Sequence, residues 1–390
     1  MASLGVVLFV LAIIVVVMVH ESGHFGVAKL FGFKATKFFF GFGPTVWSFT
    51  KGETEYGIKA IPAGGFVKIV GMNPYEEVPA KDVPRSYPNK PAWQRALLVV
   101  AGSATHWVLA FALLFVAALA LGFPTGRATN EITALQVPSP AARAGFRPGD
   151  RIVAVGGTAT QSWREIRNYI RRHGDRLATF TLERGGRTKT VSVRVGRALF
   201  SDAGRLIAYA PAGKPLRRPR DGEIRVGFLG VEPQPQYHKD SLAAAVVHAG
   251  QLTWELTRGS VMNLGAVFRT VVNGEMWSAL SGHGARAPGQ GPLSVVGLAG
   301  IAGTTFARGQ YVNLVLLIAG LTVFVGLVNL LPLPPLDGGH LAVVAYEAVT
   351  GRRVDVRKLI PVAAIVISFF VVLFVTALYL DIVRPVRLPL

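Results

Sequence analysis

Four stretches of the chain are apolar on every side and almost free of charge: residues 2–30, 94–123, 311–331 and 359–380. Each is about 20 residues or longer, the length a helix needs to cross a bilayer. The first has no basic leader and no small-residue cleavage site, so it reads as a retained span and not a signal peptide. Residues 33–92 change to short alternating runs. Tyr56-Gly57-Ile58-Lys59-Ala60-Ile61 and Gly65-Phe66-Val67-Lys68-Ile69-Val70 flank Pro62-Ala63-Gly64, which predicts a hairpin turning at the Pro/Gly step. The aromatic run 38–42 predicts that this segment dips into the membrane, where protein or water must satisfy its backbone. Residues 72–91, rich in proline and charge, read as a loop.

No convincing span follows for nearly 190 residues. Within 124–235 the pattern gives a strand at 153–157, a helix at 163–172, and strands at 177–183 and 188–195 about Gly185-Gly186, a compact α+β domain. Residues 200–221 read as a basic, solvated insertion. Residues 242–272 have helical periodicity, with Trp254, Leu256, Val261, Leu264 and Phe268 among polar positions, and 281–292 read as a glycine-rich loop. The third span is broken at once by Pro332, Pro334 and Pro335. A helix resumes at about His340 and ends near Thr350. The fold class predicted is a polytopic α-helical membrane protein with four transmembrane helices, a membrane-associated β-hairpin and an inserted α+β domain. Its parts are a membrane domain over 1–123 and 311–390, the inserted domain over 124–235 and a linking segment over 236–310.

Composition narrows the chemistry. The chain of 390 residues is 51% hydrophobic and has no cysteine. Disulfides, iron–sulfur clusters and thiolate zinc sites are excluded, and any metal must use histidine and carboxylate. The net charge of +19 is dispersed and accompanied by no nucleic-acid recognition motif, so anionic lipid is the partner it suggests and nucleic acid is not. Lys34, Lys37, Lys51, Lys59 and Lys68 follow the first span, and Arg352, Arg353, Arg357 and Lys358 lie between the third and fourth. The positive-inside rule makes both loops cytoplasmic and leaves the inserted domain and both termini outside.

At the end of the first span stands His20-Glu21-Ser22-Gly23-His24. Positions i and i+4 share a helix face, so both histidines can point at one ion, and two neutral imidazoles suit tetrahedral Zn²⁺. Glu21 beside them is the natural base for an activated water. Ionisable residues inside an apolar span mark function by default, against the blander reading of two histidines satisfied within a bundle. A third protein ligand is required. Asp337, His106, His340, Glu347 and His283 are the candidates. Asp337 is favoured because helix breaks in membrane segments line sites, and it enters from the same side as the histidine pair. The alternative for Asp337 is an ordinary helix N-cap.

These motifs, with Asn329-Leu330-Leu331-Pro332-Leu333-Pro334-Pro335-Leu336-Asp337-Gly338-Gly339, resemble the site-2 protease family of intramembrane zinc metalloproteases. Phe40-Gly41-Phe42-Gly43-Pro44, Pro62-Ala63-Gly64-Gly65-Phe66-Val67-Lys68 and Gly291-Pro292-Leu293-Ser294-Val295-Val296 are similar to that family too, and Pro140 to Ile152 resembles the start of a circularly permuted PDZ domain. The resemblance implies zinc on His20, His24 and Asp337, Glu21 as catalytic base, and Asn329 helping to position a substrate strand. It implies a bacterial cytoplasmic-membrane protease with an extracytoplasmic PDZ-like domain. Its substrates would be single-span proteins such as anti-sigma factors or remnant signal peptides. Strand addition along Gly64, Gly65, Phe66, Val67 and Lys68 would hold an unwound substrate. The chain departs from the family in its second span, where Gly-Pro-x-x-Asn is usual and Gly102-Ser103-Ala104-Thr105-His106 stands. His106 there either approaches the metal or substrate, or hydrogen-bonds within the bundle. Rival readings are a metalloprotease with a glutamate third ligand, a membrane scaffold, and a transporter. A scaffold has no need of the four polar residues, and no second broken span supports a transporter.

Overall fold

The computed structural model describes residues 1–73, 75–136, 138–201, 206–273 and 292–383. The described residues fall into two units, one of residues 1–122 with 239 onward and one of residues 123–238.

The first unit opens with α1 (Ala2–Leu30), whose 29 residues reach about 43 Å at the helical rise, more than the hydrocarbon thickness. Its C-terminus is closed by two reversed hydrogen bonds, Phe33 N to Ala28 O (2.8 Å) and Gly32 N to Lys29 O (3.2 Å). Gly32 takes the left-handed φ of +65° this motif demands. Phe33 and Ala28, both fully buried, belong to one core cluster, so the cap also fixes where the chain leaves the helix.

It leaves into β1 (Ala35–Lys51) and β2 (Thr54–Ile69), and here the hairpin differs from expectation. The tight turn is at Gly52-Glu53, and Pro62–Gly64 is a bend inside β2. Tyr56–Ile61 and Gly65–Ile69 do not pair with one another. They flank Lys37–Phe40 on its two sides, with Phe39 opposite both Gly57 and Phe66. The aromatic run holds the middle position because Phe39 is fully buried there, stacked on Phe66 at 5.7 Å. Glu53 at the turn binds Arg85 through two bonds (2.7 and 2.8 Å), Lys29 at 2.9 Å and Lys34 at 3.3 Å. The Arg85 guanidinium first, then the two ammoniums, outweigh partial burial and hold this carboxyl well below the usual range. Two short 3₁₀ turns lead to α2 (Ala92–Ala120), the second long apolar helix.

The second unit is an antiparallel sheet in the order β11-β3-β4-β6-β7, made of β3 (Phe123–Leu135), β4 (Arg151–Val155), β6 (Leu177–Arg184), β7 (Arg187–Arg194) and β11 (Val231–His238), with the two-residue β5 (Thr158–Ala159) beside β4. The helices α3 (Pro140–Arg143) and α4 (Trp163–Arg172) complete it, and Ile152, Ile166, Phe180, Leu182 and Val195 fill the core. Asp150 is fully buried. Burial opposes its charge, but Arg184 (2.6 and 2.8 Å) and the Arg147 amide (2.8 Å) prevail and keep it ionised below its ordinary range. The insertion read as a loop is partly ordered: β8 (Gly196–Ser201), β9 (Leu206–Ala210) and β10 (Glu223–Phe228) form a second sheet in the order β10-β8-β9. Ala198 and Leu199, which point to opposite faces of β8, are both fully buried, and Ala210 and Phe228 are buried too, an apolar signal diluted in the sequence by neighbouring arginines.

The chain returns to the first unit as α5 (Leu242–Val272), the stretch read as helical. The glycine-rich loop, with His283, lies outside the described residues. A helix not foreseen, α6 (Val295–Ala307), follows. It is 13 residues long, short of a span, and small enough on one face to lie against α1. A Cβ on Gly303 would come within 2.8 Å of Ala2 O, and one on Gly5 within 2.9 Å of Gly303 Cα. Then come α7 (Tyr311–Asn329), α8 (Asp337–Thr350) and α9 (Ile360–Val383). Among the described residues, four helices are long and apolar enough to cross a membrane: α1, α2, α7 and the last, which carries α9. The helix after the proline break starts at Asp337, three residues earlier than expected, because Gly338 and Gly339 let its first turn pack under the loop. A Cβ on Gly339 would meet Pro334 N at 2.6 Å.

Candidate metal centre

One helix and the start of another converge in the first unit. On α1, His20 and His24 present Nε2 atoms 3.2 Å apart. Asp337, the first residue of α8, brings Oδ2 to 3.3 Å from His20 Nε2 and 3.4 Å from His24 Nε2. The N-cap of α8 is Leu336, and Asp337 makes no capping bond, so the capping alternative does not describe it. Its Oδ2 is buried and has no hydrogen-bond partner among the described residues.

The electronics of this triangle are specific. His24 Nδ1 lies 2.8 Å from Leu98 O. A carbonyl only accepts, so Nδ1 carries the proton and Nε2 of the neutral ring is bare. A bare nitrogen, a second imidazole nitrogen and a carboxylate oxygen thus face one another. Three electron-rich atoms at such distances call for a cation between them. A tetrahedral zinc with ligands about 2.0–2.1 Å away sets its donors about 3.3–3.4 Å apart, and the observed edges match. The residues present fit zinc.

Glycines make the approach possible. A Cβ on Gly102 of α2 would collide with the His24 imidazole, and one on Gly23 would lie 2.5 Å from Ala101 O. Gly326 of α7 packs its backbone on His106, where a Cβ would stand 2.9 Å from the His106 Cβ.

The remaining predicted residues divide. Glu21 is half-buried next to His20, and β2 passes beside it at Gly65. At Gly65 a Cβ would be 3.2 Å from both Glu21 Cγ and Met18 Sδ, so the strand runs close against α1 where only a glycine fits without displacement. Gly64 has φ +125° and lies against the Phe42 ring. Phe66 stacks on Phe39 and Phe42, and Lys68 pairs with Glu76 at 2.9 Å, so these two side chains point into structural contacts. Gly65–Ile69 pairs with β1 on one edge only, and no strand of the described residues covers the other. Asn329 is partly buried at the end of α7, and no hydrogen bond among the described residues engages its amide.

Of the other ligand candidates, Glu347 is taken by Arg95 (2.7 Å) and the Val354 amide (2.9 Å), which fastens α8 to α2. His340 is on α8 outside the cluster. His106 touches the cluster indirectly, with Nε2 at 3.1 Å from His20 Nδ1. Sequence reasoning missed the Leu98 carbonyl and the clearance at Gly102. A small residue and a histidine four apart within an apolar span were the available signal.

The profile of peptidase family M50 matches residues 8–375. Zinc metalloprotease Rip1 of Mycobacterium bovis is 33% identical over 416 residues, covering 98% of each chain. Its namesake in Mycolicibacterium smegmatis is 32% identical, covering 100% of this chain and 99% of the relative. Metalloprotease MmpA of Caulobacter vibrioides is 31% identical over 365 residues, 88% of this chain and 86% of the relative. With a triangle of donors sized for zinc, four helices able to span a membrane and a family match over nearly its whole length, the chain belongs to peptidase family M50, the site-2 protease family, and is a zinc metalloprotease.

Proposed function

We propose that the chain hydrolyses peptide bonds within or beside the transmembrane segments of single-span membrane proteins. The observation that carries this reading is the convergence of His20, His24 and Asp337 within 3.4 Å at the end of an apolar helix, with Glu21 on the same turn. The three side chains are the ligands. Zinc held there would polarise a peptide carbonyl and make a water acidic enough to react near neutral pH. Glu21 takes the proton from the attacking water and passes it to the leaving amine.

A helical substrate hides its carbonyls in i to i−4 bonds, so it must unwind, and in lipid its freed backbone needs new partners. The uncovered edge of Gly65–Ile69, passing beside Glu21, offers them by strand addition. Asn329 assists in positioning that strand. The cluster of exposed apolar residues on the two strands, Phe42, Val46, Trp47, Phe49, Ile58 and Ile61, supports membrane association of this element. Residues 123–238 act outside the membrane as a PDZ-like unit that filters or engages substrates. The protein resides in the bacterial cytoplasmic membrane with its metal near the cytoplasmic side, and its substrates are proteins of the anti-sigma-factor or remnant-signal-peptide kind.

Co-expression of a tagged single-span substrate with wild type or Glu21→Gln tests the reading. Cleavage within the span by wild type, and none by a Glu21→Gln protein that keeps its zinc, is expected. Equal cleavage by the two would remove Glu21 from the chemistry, and cleavage confined to soluble segments would sink the intramembrane assignment.

A further inference from the structure

We propose that His106 is a positioning residue of the zinc site: it accepts the Nδ1 proton of His20 and thereby keeps His20 Nε2 bare and aimed at the ion. The inference rests on the zinc reading above. The two ligand histidines are oriented differently. His24 has a carbonyl behind it, which fixes its proton without ambiguity. His20 has a second imidazole behind it, His106, with Nδ1 and Nε2 3.1 Å apart. One proton lies between those two nitrogens. Were it on His106 Nε2, the proton of neutral His20 would sit on its own Nε2, aimed at a nitrogen 3.2 Å away and a carboxylate oxygen 3.3 Å away. No ion could then bind. Metal binding therefore selects the arrangement in which His20 donates and His106 accepts. A ligand imidazole nearly always has such an acceptor behind it, and the acceptor sets both tautomer and ring plane.

The surroundings make His106 suited to that task. The residue is 1% exposed. The α7 backbone at Gly326 presses on its Cβ and ring edge, which restricts the ring's rotation. The selected tautomer puts the His106 proton on Nδ1, and that atom is buried with no partner among the described residues. The contribution of the ring is thus confined to Nε2. An acceptor that reaches the same point, with nothing at the Nδ1 position, is enough.

Glutamine is such a group, because its Oε1 stands about as far along the side chain as the histidine Nε2. The test measures zinc affinity of the full-length protein in detergent by competition with a chelating dye. The proteins compared are wild type, His106→Gln, His106→Leu and His106→Ala, with His24→Ala as the reference for a lost site. Wild type and His106→Gln are expected to agree within about threefold, and both apolar variants to bind about 10–100-fold more weakly. Leucine fills the space of the ring and alanine leaves it open, so a fall common to both reports the acceptor and not the packing. Wild-type affinity in either apolar variant overturns the proposal, as does a glutamine variant as weak as leucine. A wild type that binds zinc no better than His24→Ala overturns the zinc reading itself, and the role of His106 with it.

Discussion

At the scale of single residues, the absence of side chains is as decisive as their presence. His24 can stand against Leu98 O only because Gly102, one turn further along α2, leaves room for the imidazole. Gly26, on the same face-forming stretch of α1, has no atom within 4 Å of where a Cβ would stand. The pair makes a controlled comparison. Gly102→Ala is expected to swing the imidazole off its carbonyl and weaken zinc binding by about tenfold or more, the lower range for a misoriented ligand. Gly26→Ala adds the same methyl to a helix without touching the site and is expected to leave affinity unchanged. Dye competition on both proteins checks it, and an unaffected Gly102→Ala would show that the ligand tolerates a tilt the geometry does not allow.

At the scale of elements, the site is an assembly of termini held in place by caps and ion pairs. The reversed hydrogen bonds after Leu30 aim the chain into β1, and the Glu53 cluster fastens the strand turn to the end of α1. Three cations meet one carboxylate there, so Glu53 is ionised at lower pH in the folded chain than in the unfolded one. A depressed carboxylate stabilises the fold fully above its unfolded value, about 4.3, and that stabilisation is lost as pH falls from there through the folded value. The stability difference between wild type and Glu53→Gln is therefore expected to be constant from pH 7 to about 5 and to shrink below about 4.3. Denaturant unfolding in detergent across that range measures it. A difference that grew on acidification would mean the cluster destabilises the strands. Arg95 and Glu347, 2.7 Å apart, do for α8 what Glu53 does for the strands.

At the scale of the molecule, ligands from the two ends of the chain make one site, with the whole of residues 123–238 inserted between them. Zinc held by these three side chains would join segments more than 300 positions apart, a closure that an unfolded chain would meet with a large entropy loss. Orientation across the membrane also belongs to this scale. The proposed arrangement has the strand turn inside the cell and residues 123–238 outside. The chain contains no cysteine, so a single introduced one is read without background. Both Lys51, beside the strand turn, and Lys189, on β7, are exposed. Lys189→Cys is expected to react with a membrane-impermeant thiol reagent in spheroplasts, and Lys51→Cys only after lysis. The reverse pattern would invert the topology.

The sequence by itself determined what local chemistry fixes. Long uncharged runs gave the four spans, because lipid admits backbone only as closed hydrogen-bonded helices. An interval of four between His20 and His24 gave two imidazoles on one face, and the absence of cysteine restricted the remaining ligand to histidine or carboxylate. Helical periodicity gave residues 163–172 and 242–272. The tertiary structure decided what depends on partners far apart in the chain. Strand pairing was one such matter: Pro62–Gly64 looks like a turn locally, and only the burial of Phe39 between two segments shows it to be a bend. Another was α6, whose small-residue face carries meaning only against α1. The choice among Asp337, His106, His340 and Glu347 was a third. All four are polar residues in or beside apolar helices, and only the packed helices set Asp337 beside the histidine pair, gave Glu347 to Arg95, and left His106 behind His20.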